Sequence, residues 1–251
     1  MIRGLVFSLH LSGATAVEAE NMVKAVPDSS IIRLNAKEDR TEQFDVLDCR
    51  GEKTGEIIGR DEAHRTETWH GAFHCLIVFE RAGRGYALFQ KRAPIKKIAP
   101  DRFDVSVGGH YASGEDASIA GPREMKEELG LDVRFEDLVF LGRRLFVYRF
   151  TPGVTECEFQ DVFLYPRTIL PEQVTLQQEE VAGLLELEIE EGLRLFGRKI
   201  TKAEGRLFRS TGAPVSLTVA TEEFVPCLDN YYLKMLLLAK RYFGGERYLV
   251  I

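Results

Sequence analysis

Three glutamates in the stretch PREMKEELGL, residues 122–131, offer the clearest chemistry in the chain. Glu124, Glu127 and Glu128 stand at i, i+3 and i+4, which puts them on one face of a helix. Like charges at that spacing weaken a helix by a few tenths of a kcal/mol per pair. A cation offsets the repulsion, and clustered carboxylates are the hard oxygen ligands that Mg²⁺ or Mn²⁺ takes. Mg²⁺ shares its coordination with substrate phosphates, and a bound metal lowers the pKa of a water. The arrangement therefore suits hydrolysis of a diphosphate linkage. The competing reading is an ordinary solvated acidic face.

Several elements must position these acids. The helix stops at Gly130, and Gly121-Pro122 precedes Arg123, so the helix either begins at Pro122 or kinks there. Upstream, FDVLDCRGEKTGEIIGR reads as a hairpin around Gly51 and Gly55. Strands over 72–79 and 86–90 flank a second turn, and FDVSVGGHY is a further alternating strand running into two glycines. Downstream, EDLVFLGRRLFVYRF and CEFQDVFLYPRTI read as strands, and LQQEEVAGLLELEIEEGLRLF as a strand leading into a helix. The final YYLKMLLLAKRYF is apolar on most faces, a helix packed on a core or a partner. In residues 1–43, an N-terminal extension, VEAENMVKAV looks helical and IIRL strand-like. Irregular alternation of strands and helices predicts a mixed α/β or α+β sandwich.

In frame, Gly109 is followed after five residues by Glu115, and after seven more by Arg123-Glu124-Met125, then Glu127-Glu128 and Gly130-Leu131. This pattern, G-x5-E-x7-R-E-U-x-E-E-x-G-U with U a bulky apolar residue, resembles the Nudix hydrolase signature. The resemblance implies a Nudix fold, a mixed β-sheet sandwiched between helices, over residues 44–190, with a C-terminal helical appendage over 191–251. It implies metal ligation by Glu124, Glu127, Glu128 and the Gly109 carbonyl, with Glu127 as a candidate base. Glu115 and Arg123 would tie loop to helix. It further implies cleavage of a nucleoside diphosphate linked to another moiety.

Outside the box, the passages RGEKTGEIIGRDEAHRTETWHGAFHCLIVF and LFQKRAPIKKIAPDRFDVSVGGH resemble type I isopentenyl-diphosphate isomerases and the hydrolases near them. By that resemblance His64, His70, His110, Glu156 and Glu158 correspond to the isomerase metal ligands. Where the isomerase carries its catalytic cysteine this chain has Gly108. A complete box without that thiol points to a hydrolase. An isomerase and a catalytically silent nucleotide-sensing module are the alternatives. The histidines form either a second metal site or satisfied structural positions, and the structural reading is preferred here. His74, inside an apolar strand, is assigned to the core.

Other residues suit a phosphate substrate. Arg92, Lys96 and Lys97 sit just before the box, where guanidinium forks and ammonium charges fit phosphate oxygens, or form a solvated basic loop. Glu179 or Glu180 precedes a strand where Nudix hydrolases often hold a further acid, and Glu180 is taken as a second catalytic candidate. Trp69, beside His70, is a candidate pocket wall.

The bulk composition sets limits. The chain has 251 residues, 45% hydrophobic, with net charge −6. That acidic balance argues against a nucleic-acid polymer as partner and leaves a small diphosphate, with a homodimer open through the last helix. Four cysteines without CxxC spacing suit a reduced, cytoplasmic protein. The N-terminal MIRGLVFSLHLSGATAV is interrupted by Ser8 and His10, and no run approaches a membrane span.

Overall fold

The computed structural model describes residues 42–170 and 173–251. The helix and strand expected within residues 1–41 lie outside them. The chain opens with the expected hairpin, β1 (Gln43–Leu47) and β2 (Lys53–Gly59), a two-stranded antiparallel sheet of its own. Helix α1 (Arg60–Thr66) follows. Strands β3 (His70–Arg81) and β4 (Arg84–Arg92) form the second hairpin, turned by Ala82 and Gly83 with φ of 51° and 74°.

FDVSVGGHY is not one strand but two, β5 (Phe103–Asp104) on β4 and β6 (Val107–His110) on β3. The buried Ser106 separates them: its hydroxyl accepts from Ile77 N and donates to the Leu88 carbonyl, so it bridges β3 and β4. Next come α2 (Ala117–Leu129), β7 (Val139–Thr151), β8 (Val154–Pro166), β9 (Val181–Glu188), α3 (Ile189–Phe196), β10 (Ala203–Phe208), β11 (Val215–Val219) and α4 (Tyr231–Phe243).

The main sheet runs β11-β10-β9-β4-β3-β8-β7. Its β3–β8 pair is parallel and the others are antiparallel. Alternation along β3 builds two cores. Leu76 and Val78 face the cluster beneath α3 and α4, whereas Phe73, Cys75, Ile77 and Phe79 face the one beneath α2. The mixed sheet between helices is thus the expected Nudix architecture.

The segment 191–251 is not a purely helical appendage. β10 and β11 extend the main sheet beyond β9: Gly205 and Leu207 stand opposite Leu187 and Leu185 of β9, and Ala203 opposite Val219 of β11. Helix α2 begins at Ala117, capped by the Asp116 carboxylate on Ser118 N, and carries Pro122 inside. It ends at Gly130 with φ 68°, whose N–H donates to Lys126 O while Leu131 N donates to Met125 O.

Candidate active site

Helix α2 lies against the sheet through Met125 and Leu129, so its i, i+3, i+4 face brings the glutamates beside the end of β6. A cleft of about 600 Å³ runs there. Gly109, Glu124, Glu127, Glu128 and Glu180 line it together with Arg92, Lys96, Glu115 and Arg123. Glycine at 109 lets the Glu124 carboxylate sit against the backbone, since a Cβ would lie 2.2 Å from that carboxylate and displace it. That near-contact brings the Gly109 backbone against the acid expected to share its metal.

Arg123 organises the acids. It grips Glu115 by Nε and Nη2, at 2.8 and 2.7 Å, while Ala112 N donates to the same carboxylate. Burial raises the Glu115 carboxyl, but these bonds hold it below its ordinary value. Arg123 Nη1 also donates to Glu124 and Glu127, and Nη2 to the His110 carbonyl at 3.1 Å. Burial pushes Glu124 up to about 7 against the pull of Arg123. Glu128 is raised well above the carboxylate range by burial and by Glu124 and Glu180. Nine Asp and Glu side chains line the cleft against five Lys and Arg, a balance that favours added cations when a diphosphate enters.

The basic residues divide. Lys96 is buried and pairs with Glu180 in the cleft. Lys97 does not line it, contrary to expectation; its ammonium pairs instead with Asp61 on α1 at 2.9 Å. Arg92 lines the cleft, but its Nε and Nη2 donate to the Ile98 and Ala99 carbonyls, bracing the loop. Glu179 is exposed, leaving Glu180 as the acid beside the box. Trp69 packs on Phe159 and is not among the lining residues. His74 is not simply core: it lines the cleft, and its Nδ1 lies 3.2 Å from the Tyr231 hydroxyl.

The five residues assigned to a second site come together, and His110, Glu156 and Glu158 among them line the cleft. His64, His70, His110 and Glu156 each place a ligand atom within 4.8 Å of the others. Glu156 Oε2 lies 3.2 Å from His64 Nε2 and 3.8 Å from both His70 and His110 Nε2. Glu158 Oε1 lies 3.0 Å from His110 Nε2. All five residues are buried.

Three buried atoms here count against the preferred reading of satisfied structural histidines. His64 Nε2, His70 Nε2 and Glu156 Oε2 are buried without a hydrogen-bond partner. His70 Nδ1 donates to the Thr68 carbonyl at 2.9 Å, which leaves Nε2 as a lone pair facing carboxylates. Lone pairs facing one another in a buried space call for a cation between them. Burial and the neighbouring His110 lower His70 to about 4. His110 goes the other way: burial and Arg60 lower it, yet Glu156 and Glu158 raise it to about 10. Three imidazoles and two carboxylates form a donor set suited to a divalent transition ion such as Mn²⁺.

Sequence reasoning missed Phe44. It comes from the first hairpin, is fully buried, and stacks on His70 at 4.7 Å and 15°, with His110 at 4.8 Å. It also missed Gln160, although Glu156, Glu158 and Gln160 alternate with Cys157 and Phe159 as a polar face of β8. That alternation was the available signal.

A family model described as the NUDIX domain matches residues 68–202, just over half of the chain. The chain belongs to the Nudix family. It is similar to an uncharacterized Nudix hydrolase of Clostridium acetobutylicum, 36% identical over 70% of this chain and 88% of that one. An isopentenyl-diphosphate Delta-isomerase of Saccharopolyspora erythraea is 34% identical over 57% of this chain and 70% of its own. A crystal structure from Deinococcus radiodurans shares 25% identity over 63% of this chain and 88% of that one, with a TM-score of 0.46. This Nudix protein is accordingly a hydrolase by family, with isomerases among its more distant relatives. No helix among the described residues is long and apolar enough to cross a membrane.

Proposed function

We propose that this Nudix hydrolase cleaves, with Mg²⁺ or Mn²⁺, a diphosphate linkage in a nucleoside diphosphate joined to another moiety. The observation that carries the reading is the complete set of box acids, Glu124, Glu127 and Glu128, facing one cleft, with the Glu124 carboxylate against the bare backbone of Gly109. Glu124, Glu127, Glu128 and the Gly109 carbonyl would hold one cation, and His64, His70, His110, Glu156 and Glu158 a second. Cations bound there would neutralise phosphate oxygens and lower the pKa of the attacking water.

The chain's own residues do the rest. Water attacks one phosphorus, the bond from that phosphorus to the bridging oxygen breaks, and a carboxylate takes the proton. Glu127 is half exposed at the cleft rim and held by Arg123, so it can receive that proton without burial. Glu180, paired with Lys96, is the second candidate. Lys96 brings the basic charge nearest this acid for the phosphate end, and Arg92 fixes the loop that bears it.

Gly108 disfavours the isomerase reading, and intact box acids disfavour a silent sensor. A panel of diphosphate substrates with Mg²⁺ or Mn²⁺, read as released phosphate species, tests the proposal. Turnover of one member supports it. Binding without turnover across the panel supports the sensor instead.

A further inference from the structure

The Glu158 carboxylate has two sides. Oε1 faces the imidazoles, 3.0 Å from His110 and 3.9 Å from His70. Oε2 faces away, and the Gln160 side-chain amide donates to it. Gln160 Oε1 accepts in turn from Arg144 Nη1 at 2.6 Å. The direction of this chain is fixed by chemistry. A guanidinium only donates, so Gln160 turns its oxygen to Arg144 and its NH₂ to Glu158.

Arg144 is itself locked. It donates a fork to Asp229, at 2.9 and 2.7 Å, just before helix α4. Its guanidinium lies 3.9 Å from the Tyr231 ring centroid. Strand register assembles the row: Arg144 stands opposite Gln160 across β7–β8, and Gln160 follows Glu158 by two residues on one face. Arg144, Gln160 and Glu158 are all buried, with 7%, 1% and 6% exposure. Arg144, Gln160 and Glu158 line the inner wall of the cleft, and apolar side chains would fill the same space at lower desolvation cost.

We propose that Arg144 and Gln160 are positioning residues for the histidine-glutamate cage, anchored by Asp229. They fix the Glu158 carboxylate so that Oε1 stays turned into the cage, and a polarised amide on Oε2 tunes its charge. The proposal rests on the cage being a metal centre. It makes the cage's cation affinity depend on a residue at the start of the last helix, far along the chain from every ligand. Outer-shell partners of metal ligands are typically worth about 10–100-fold in affinity.

The test is Mn²⁺ binding to the full chain, followed by isothermal titration and by the electron paramagnetic resonance of free Mn²⁺. Metal-free melting temperature is measured alongside. His64→Ala, which removes a cage ligand, should lose one class of site. Gln160→Met, of similar length with no donor, should keep that class with affinity about 10–100-fold weaker. The other class should be unchanged. Asp229→Ala, at the partly exposed end of the chain, should weaken the same class severalfold, and serves if Gln160→Met does not fold. Unchanged affinity in a folded Gln160→Met or Asp229→Ala protein, with the site lost in His64→Ala, overturns the positioning role alone. No lost site in His64→Ala overturns the cage reading and the positioning role with it.

Discussion

The Glu124 carboxylate occupies the place where a Cβ on Gly109 would stand, 2.2 Å from it. Helix α2 and strand β6 therefore meet with no spare atom. Gly109→Ala should displace Glu124 by about an ångström, a shift that can cost on the order of 10²-fold in turnover. The obstructed group is the end of a flexible side chain, so the fold should persist. Steady-state kinetics and circular dichroism on the purified variant check both halves.

Glu127 is half exposed, and Arg123 at 2.9 Å is the partner that holds it. Glu127→Gln keeps its shape and removes its basicity. Turnover should fall by about 10²–10⁴-fold, the usual worth of general base catalysis, with melting temperature nearly unchanged. Near-normal turnover would remove Glu127 from the mechanism and direct attention to Glu180.

Metal removal should destabilise the protein. Buried acceptors at His64, His70 and Glu156 face one another without partners, and a cation satisfies them. Mn²⁺ at about 100 times its dissociation constant should add about 2.7 kcal/mol. For a chain of this size that is a rise of roughly 5–10 °C in melting temperature. Scanning calorimetry with chelator and with Mn²⁺ reads it, and equal curves would contradict the cage.

Burial raises Glu124 to about 7 from 4.5. The folded state then holds this proton where the unfolded state has lost it. Its contribution to stability is present below the unfolded value and is lost as pH rises through about 7, by up to about 1.4 kcal/mol per pH unit. Glu124→Gln cannot titrate. In chelator, the variant should gain stability relative to the parent between about pH 5 and about pH 8. A constant difference over that range would show that Glu124 titrates normally.

Space does not forbid a thiol at position 108, since a Cβ there would meet the His74 ring at an ordinary 3.4 Å. No atom excludes a Cβ there, so Gly108→Cys should fold. The parent protein should form no deuterated allylic isomer from an isoprenoid diphosphate in D₂O. Deuterium in that product would restore the isomerase alternative.

The box was legible because its geometry is local. Three glutamates at i, i+3 and i+4 share a helix face whatever surrounds them, and Gly130 ends that helix in any context that allows φ of 68°. The hairpins were legible for the same reason. FDVSVGGHY was misread as one strand because its break is set by Ser106 bridging two other strands. The histidines could not be judged from the sequence because satisfaction is not a property of sequence: His64, His70 and His110 lie on a helix and two strands, and only the fold brings them within reach of one another and leaves His64 Nε2 and His70 Nε2 without a hydrogen-bond partner. Lys96 and Lys97 are adjacent, yet one faces Glu180 and the other Asp61.

The sequence by itself determined the chemistry: hard ligands at helical spacing, a polar period of two along β8, and no thiol at 108. Only the tertiary structure decided which groups meet. The parallel β3–β8 register sets His70 beside Glu158, and the β7–β8 register sets Arg144 beside Gln160. Helical and strand periods follow from backbone geometry over a few residues. Register between distant strands follows from burying a whole sheet face at once, since a slip of one residue would turn each side chain to the opposite face.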